Sequence, residues 1–396
     1  MGYSVLKLAK GREKAIVNRH HWIFSGAVAT LPEVPNGEMV EVKDASGKTL
    51  GYGFFSTHSQ ITCRMFHFGV TEKPVFDLAY WQHKINLAVE KRKAWIDLNI
   101  TNTYRLIHAE GDFFPGLVVD VYNDILVIQV GIKGIERILQ TLVKAFNNEG
   151  FKNVYLKYTP HKQNIEKLEL KQGWLSVEDK KKKTVVQVIE NRIKFEVDIE
   201  NGQKTGFFID QRDNRAYVKR FAKGKTVLNC FSYTGGFSVY ALAGAAKSVT
   251  SVDISEDAMK DARKNGKLNG FDANHETVVA DCFDYLRNAP ENHFDMIILD
   301  PPAFAKNANA VKNASLGYKD INLQALKMIK PGGFLFTYSC SQHIDADLFQ
   351  KIIFAAAADS GRNVQIIHKL LQSVDHPVNI FHPEGEYLKG LVLWVE

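Results

Sequence analysis

A rhythm that begins near Val218 constrains this chain most: short apolar runs alternate with helical ones almost to the C-terminus. Strands are expected at 226–229, 248–253, 275–280, 295–300, 333–339 and 364–368. Helices are expected at 237–243, 256–269, 282–288, 321–329 and 343–358. Such alternation predicts a parallel sheet with helices on both faces, because parallel neighbours need a crossover long enough to hold a helix. Lys389–Val395 reads as a final strand. The fold class is therefore α/β, and ligands in such sheets bind outside the carboxyl ends of the strands.

Two of those ends carry unusual chemistry. Asp300-Pro301-Pro302-Ala303-Phe304 follows the apolar run Met296–Leu299, and Ser339-Cys340-Ser341 follows Gly333–Tyr338. Pro301 and Pro302 fix their own φ and restrict the residue before them. The rigid turn presents carbonyls and the Asp300 carboxylate to the edge of a flat base, with Phe304 placed to stack. Alone, this turn suggests methylation of an exocyclic amine, which needs no protein nucleophile. Cys340 points elsewhere. A thiolate added to carbon 6 of a pyrimidine makes carbon 5 enamine-like and able to attack an electrophilic methyl, which splits one hard step into easier ones. The competing role for Cys340 is that of a small buried hydrophobe, as expected for Cys63, Cys230 and Cys282.

The cofactor half of the site starts at Val227–Phe237: a strand, the turn Phe231-Ser232-Tyr233-Thr234-Gly235-Gly236 and a helix start. The glycines admit a ligand close to the backbone. Asp253 follows Gly235 by 18 residues at the end of the next strand, where an acid accepts ribose hydroxyls. Asp281 stands after the third strand, near an adenine amine in this reading, and Asp300 after the fourth. The Gly-x-Gly-x-x-Gly nest that a pyrophosphate needs is missing. S-adenosylmethionine, a nucleoside without phosphate, fits a Gly-Gly turn with three ordered acids. The bland alternative is that these acids cap helices.

The remaining sequence divides in two. Residues 1–70 read as short strands and turns in a small β-barrel-like module, helical only briefly over 10–20. Residues 71–184 read as an α+β unit with helices over 79–96 and 135–147, strands near 104–108, 117–122, 125–130 and 154–157, and a hairpin turn at Asn123-Asp124. Residues 185–396 form the sheet domain, opened by a hairpin within 185–208. The net charge is +6; residues 1–70 carry 8 Lys/Arg against 5 Asp/Glu, residues 71–190 carry 18 against 15, and the rest balance. A polyanion is therefore gripped mainly by the first half. The run Lys180–Lys183 reads as a solvated turn rather than a dedicated contact. The four cysteines are too dispersed for a zinc knuckle or a disulfide framework, so no metal and a reducing, cytoplasmic setting are expected. No apolar stretch reaches membrane-spanning length.

At these residues the sequence resembles the RlmI-like (YccW-like) 23S ribosomal RNA cytosine-5 methyltransferases, which carry an N-terminal PUA domain. The likeness covers essentially the whole chain. Trp22–Val28 looks like the PUA opening. Gly202–Arg215, Phe231–Phe237, the Asp-Pro-Pro turn, Gly317–Asn322, Ser339-Cys340-Ser341, Asp375-His376-Pro377 and Pro383–Gly390 also match. The resemblance implies a PUA domain at 1–70, a central α+β domain at 71–184 and a Rossmann-like methyltransferase domain at 185–396, often as a homodimer. It also implies S-adenosylmethionine as methyl donor, 23S rRNA as substrate and Cys340 as nucleophile. Ala303 departs from the pattern, since a lysine is familiar at that position. Arg212 and Arg215 are offered either to RNA phosphate or to ion pairs within the domain. His376 and His382 are offered to the pocket or to structural roles. Two other readings stand beside this one: methylation of an exocyclic amine or guanine with Cys340 a bystander, and a non-catalytic RNA-binding module.

Overall fold

The computed structural model describes residues 2–69, 74–158, 165–305 and 307–396. The expected boundary at 70/71 lies outside the described residues. The chain divides into two compact units. The first holds Met1–Val188, Val197–Ile209 and Val374–Gly385; the second holds Ile189–Glu196, Asp210–Ser373 and Glu386–Glu396.

In the first unit, β1 (Ser4–Leu8), β2 (Trp22–Phe24), β3 (Val28–Thr30), β4 (Met39–Lys43), β5 (Thr49–Phe55) and β6 (Ile61–Phe68) form one sheet in the order β2-β6-β5-β4-β1-β3. Only the β1–β4 pair is parallel. The period-two pattern places Val40 and Val42 of β4 in the core, both fully buried. The helix expected over 10–20 is the single turn α1 (Lys14–Val17).

Next come α2 (Leu78–Trp95), β7 (Thr103–His108), β8 (Leu117–Tyr122), β9 (Ile125–Val130), α3 (Lys133–Asn148), β10 (Asn153–Leu156) and β11 (Gly173–Ser176). The five strands pair in the order β11-β10-β9-β8-β7, and both helices pack their apolar faces into the same core. Trp81, Ile85 and Ala88 of α2 are buried as the spacing predicts, but Trp95 is 43% exposed and Arg92 is fully buried. The reason is pairing. Arg92 Nη1 donates to Asp112 Oδ1 at 3.0 Å and Nε donates to the Arg105 carbonyl at 2.7 Å, while Trp95, the last helical residue, stacks over the guanidinium.

The hairpin β12 (Val185–Glu190) and β13 (Ile193–Asp198) turns on Asn191 and Arg192, at φ 50° and 67°. Two positive φ values in a two-residue loop match the right-handed strand twist.

The second unit is built on β14 (Thr226–Cys230), β15 (Ser248–Asp253), β16 (His275–Val279), β17 (Phe294–Leu299), β18 (Ile329–Ser339), β19 (Val364–Leu370) and β20 (Lys389–Val395). Their order is β16-β15-β14-β17-β18-β20-β19. The first five run parallel, as the alternation predicts. The last strands do not: β20 inserts between β18 and β19, antiparallel to both, because no helical crossover separates it from β19.

The helices are α4 (Arg212–Phe221), α5 (Gly236–Ala243), α6 (Glu256–Leu268), α7 (Cys282–Asn288), α8 (Val311–Met328) and α9 (Ala346–Ser360). One core joins the sheet to α7, α8 and α9; another joins it to α4 and α5. Met296 to Leu299 of β17 are all fully buried, as a strand covered on both faces requires. Each such side chain contributes about 1.5–3 kcal/mol by leaving water. Among the described residues no helix is long and apolar enough to cross a membrane.

Candidate active site

Sheet register brings the chemistry-bearing ends together in the second unit. Cys230 of β14 lies opposite Leu299 of β17, and Leu299 lies opposite Thr337 of β18. The turn after β14, the Asp300 turn after β17 and Cys340 after β18 therefore leave the sheet at one edge. The chain order reverses at β14, whose neighbours are β15 and β17. That is the switch point where an open sheet leaves a crevice.

The turn after β14 has an unusual backbone. Phe231, Tyr233 and Gly235 all have positive φ (57°, 46° and 79°). For the two non-glycine residues this costs about 1–3 kcal/mol each, strain that clusters at ligand sites. Several bonds hold it. The Tyr233 amide donates to Asp253 Oδ2 at 2.9 Å, the Ser232 amide to the Val252 carbonyl at 3.1 Å, and the Phe231 amide to Cys282 Sγ at 3.1 Å. Cys282 is thus a structural link, as expected.

Asp253 Oδ1 accepts from the Ser255 amide at 3.0 Å. Asp281 caps α7, with Oδ1 accepting from Phe283 at 2.8 Å and Asp284 at 3.2 Å. Local bonds to backbone amides are therefore part of what both acids do, although only Asp281 caps a helix, Ser255 being the cap of α6. Such bonds do not exhaust the turn, because the Ser232 hydroxyl is buried with no hydrogen-bond partner among the described residues. A buried, unsatisfied hydroxyl beside an αL glycine is what a turn built around a polar ligand leaves when the protein atoms are counted alone. The Phe231–Gly236 turn with Asp253 and Asp281 fits S-adenosylmethionine on these grounds.

The reacting half gathers at the ends of β17 and β18. Cys340 is half-buried, whereas Cys63, Cys230 and Cys282 are buried. Its Sγ lies 3.9 Å from the Pro301 carbonyl oxygen. The flanking serines anchor it: Ser339 Oγ donates to the Tyr318 hydroxyl at 3.0 Å, Tyr318 Oη and Ser341 Oγ are 3.0 Å apart, and the Ala305 amide donates to Ser341 Oγ at 3.2 Å. One network thus ties the cysteine loop to the Asp-Pro-Pro turn. Burial pushes the Tyr318 hydroxyl above its ordinary range, so it stays protonated.

Asp300 Oδ1 accepts from Gln211 Nε2 at 3.0 Å, and Gln211 Oε1 in turn accepts from Asn214 Nδ2 at 2.6 Å. Pro301 is buried and Pro302 exposed. Phe304 packs beside Tyr318, ring centroids 4.6 Å apart, and beside Phe283 at 5.8 Å. Gln211 and Tyr318 make contacts that the sequence does not signal, although both lie in the motifs that carry the resemblance.

The remaining candidates have partners of their own. Arg212 is 3% exposed, with Nε on Asp213 at 3.1 Å, and Arg215 forms a buried pair with Glu190. Both arginines thus pair with an acid within the domain. His376 and His382 belong to the first unit, where both are buried. His376 Nδ1 lies 3.1 Å from Asp375 Oδ1, and His382 packs its ring on Trp22 at 4.4 Å.

Residues 129–377 match the model of the S-adenosylmethionine-dependent methyltransferase family, and residues 6–68 match that of a PUA-like domain. The chain belongs to the S-adenosylmethionine-dependent methyltransferase family. Within that family it is similar to proteins named ribosomal RNA large subunit methyltransferase I. The Aeromonas salmonicida protein is 42% identical over 391 residues, 98% of each chain. The Pseudoalteromonas translucida protein is 40% identical over 397 residues, again 98% of each. Among solved structures, SMU.776 complexed with SAH aligns with a TM-score of 0.84 at 25% identity, covering 100% of both chains. A chain from Streptococcus mutans assigned to the SAM-dependent methyltransferases gives 0.83 at 25%, covering 98% of this chain and 99% of that one. The cofactor of this methyltransferase is S-adenosylmethionine, as the turn predicts.

Proposed function

We propose that this methyltransferase acts on ribosomal RNA of the large subunit, the 23S rRNA, and forms 5-methylcytosine through a covalent adduct between Cys340 and carbon 6 of the base. The observation that carries the reading is the Cys340 thiol. It is half-buried at the end of β18, 3.9 Å from the Pro301 carbonyl and braced by Ser339, Tyr318 and Ser341. An amine-methylating site has no use for a thiol so placed. The rRNA substrate is supported by the names of the relatives and by the PUA-like match at residues 6–68.

The chemistry follows from electron count. The Cys340 thiolate forms an S–C6 bond, and the C5–C6 π pair shifts toward C5. Asp300, held by Gln211, would carry a proton to nitrogen 3 as the adduct forms. S-adenosylmethionine, when bound by Phe231–Gly236, Asp253 and Asp281, supplies an electrophilic methyl group. After methylation, loss of the C5 proton to a base restores the C5–C6 double bond and expels the thiolate, and nitrogen 3 gives back its proton. Pro301 and Pro302 keep the turn rigid, and Phe304 offers a ring face near the base. The target must be unstacked or in a loop, since carbon 6 is closed to attack within a stack.

Cys340→Ala is the deciding variant. Tritium release from [5-³H]cytosine rRNA, with mass mapping of the product, should fall at least about 10³-fold, as for loss of a nucleophile. Retained turnover with the methyl on an exocyclic nitrogen overturns the proposal. Calorimetry showing no S-adenosylmethionine binding would instead support a non-catalytic RNA-binding role.

A further inference from the structure

Lys389 is a buried cation next to the nucleophile loop, and among the described residues no carboxylate forms a salt bridge with it. It is the first residue of β20, directly opposite Ser339 in register, and is 6% exposed. Its Nζ donates to two backbone carbonyls, Ser341 at 2.8 Å and Tyr387 at 2.8 Å. Among the described residues it forms no ion pair, whereas the buried Arg92 and Arg215 each have one, with Asp112 and Glu190. An ammonium out of water is costly unless a negative charge answers it. Three ionisable groups act on it through space: Cys340, Glu386 and Asp345. Burial weakens its hold on the proton, and of the charges that restore that hold Cys340 acts most strongly.

We propose that Lys389 is a positioning residue, the counter-cation that keeps Cys340 in its thiolate form while its bond to the Ser341 carbonyl fixes the cysteine loop. This rests on the reading of Cys340 as the nucleophile. A thiolate is the attacking form of cysteine, and a nearby ammonium favours it without taking part in the bond changes. The thiol proton passes to solvent before the RNA arrives, so the adduct step needs no separate base for Cys340. A purely structural lysine would supply the two hydrogen bonds and nothing more.

The experiment is the pH profile of Cys340 alkylation by iodoacetamide in the full-length protein, read by peptide mass spectrometry. The other thiols interfere little. Cys63, Cys230 and Cys282 are buried, and burial pushes Cys63 up to about 12 and Cys230 well above its ordinary value. In the native protein the midpoint should lie below the ordinary thiol value of about 8.5. Lys389→Gln keeps hydrogen-bond donors and removes the charge, so its midpoint should rise by about one unit or more, a tenfold loss of thiolate at a given pH. Lys389→Arg should restore the native midpoint. A native midpoint at or above the ordinary value overturns the proposal even if the glutamine variant fails to fold. An unchanged midpoint in a folded Lys389→Gln protein overturns it too. Activity retained by Cys340→Ala would remove the covalent reading, whatever the alkylation profile shows.

Discussion

Gly235 shows how little room single residues have at this site. Its φ is +79°, and a Cβ placed there would stand 3.0 Å from the Cβ of Ala262 on α6. Ala at this position carries about 1–2 kcal/mol of left-handed strain and must push α6 away from the turn. Gly235→Ala should therefore weaken S-adenosylmethionine binding about tenfold or more, the affinity equivalent of that strain, with a lower melting temperature. Titration calorimetry checks it, and an unchanged Kd would show that the turn does not hold the cofactor. Gly235, Asp253 and Cys340 stand out as candidates in the sequence because each lies at a strand end or in the turn beyond one, where one residue type has few uses. Tyr318 and Gln211 do not. Tyr318 lies at helical spacing among apolar residues and reads as core, which it is; only the fold brings its hydroxyl between Ser339 and Ser341. Gln211 acquires its role only when it meets Asp300, 89 positions away.

At the scale of elements, the hairpin tip is locked to α4 and α5 by a buried polar set. Arg215 of α4 donates to both oxygens of Glu190, at 2.9 and 2.6 Å, and both side chains are almost completely buried. Tyr240 of α5 donates to the Glu190 carbonyl at 3.2 Å and accepts from Asn191 Nδ2 at 3.0 Å. Removing one partner strands the other charge in the core. Arg215→Met should cost about 3–5 kcal/mol, whereas pairing it with Glu190→Leu should recover much of that loss. Urea unfolding of the two single variants and the double variant gives the coupling energy, and additive losses would mean that the pair is not a unit. The elements themselves were largely readable: both hairpins and the five parallel strands follow from periodicity and turn residues. The antiparallel insertion of β20 was not, since an apolar run such as Leu391–Val395 carries no mark of direction. Nor was the start of α8 at Val311, ten residues before the periodic stretch that signalled it.

For the whole molecule, sequence order is a poor guide to membership. Val374–Gly385 belongs to the first unit although it interrupts the second, and local periodicity has no signal for such a return. The same return gives the first unit an acid-sensitive centre. His21 is fully buried. Its Nδ1 lies 2.6 Å from the Met65 carbonyl oxygen, and its Nε2 faces Asn379 Nδ2 at 3.0 Å, a set of partners that suits a neutral ring donating through Nδ1. Burial drives its pKa down to about 4. In the second unit, burial and then the nearby Arg263 drive His275 to about 4 as well. Unfolded imidazoles titrate near 6.5, so below that pH the unfolded chain binds protons that the folded one refuses. The stability from keeping these rings neutral is complete above about pH 6.5 and is lost as pH falls toward 4, up to about 3 kcal/mol per ring. Both units carry such a ring, so both should weaken over the same window. Denaturant midpoints should be flat from pH 8 to 7 and then decline steadily toward pH 4.5. His275→Gln, less stable at neutral pH because it disturbs the 2.7 Å contact with Ser251 Oγ, should show a shallower decline than the native protein. An equally steep decline in that variant would assign the acid sensitivity to other groups.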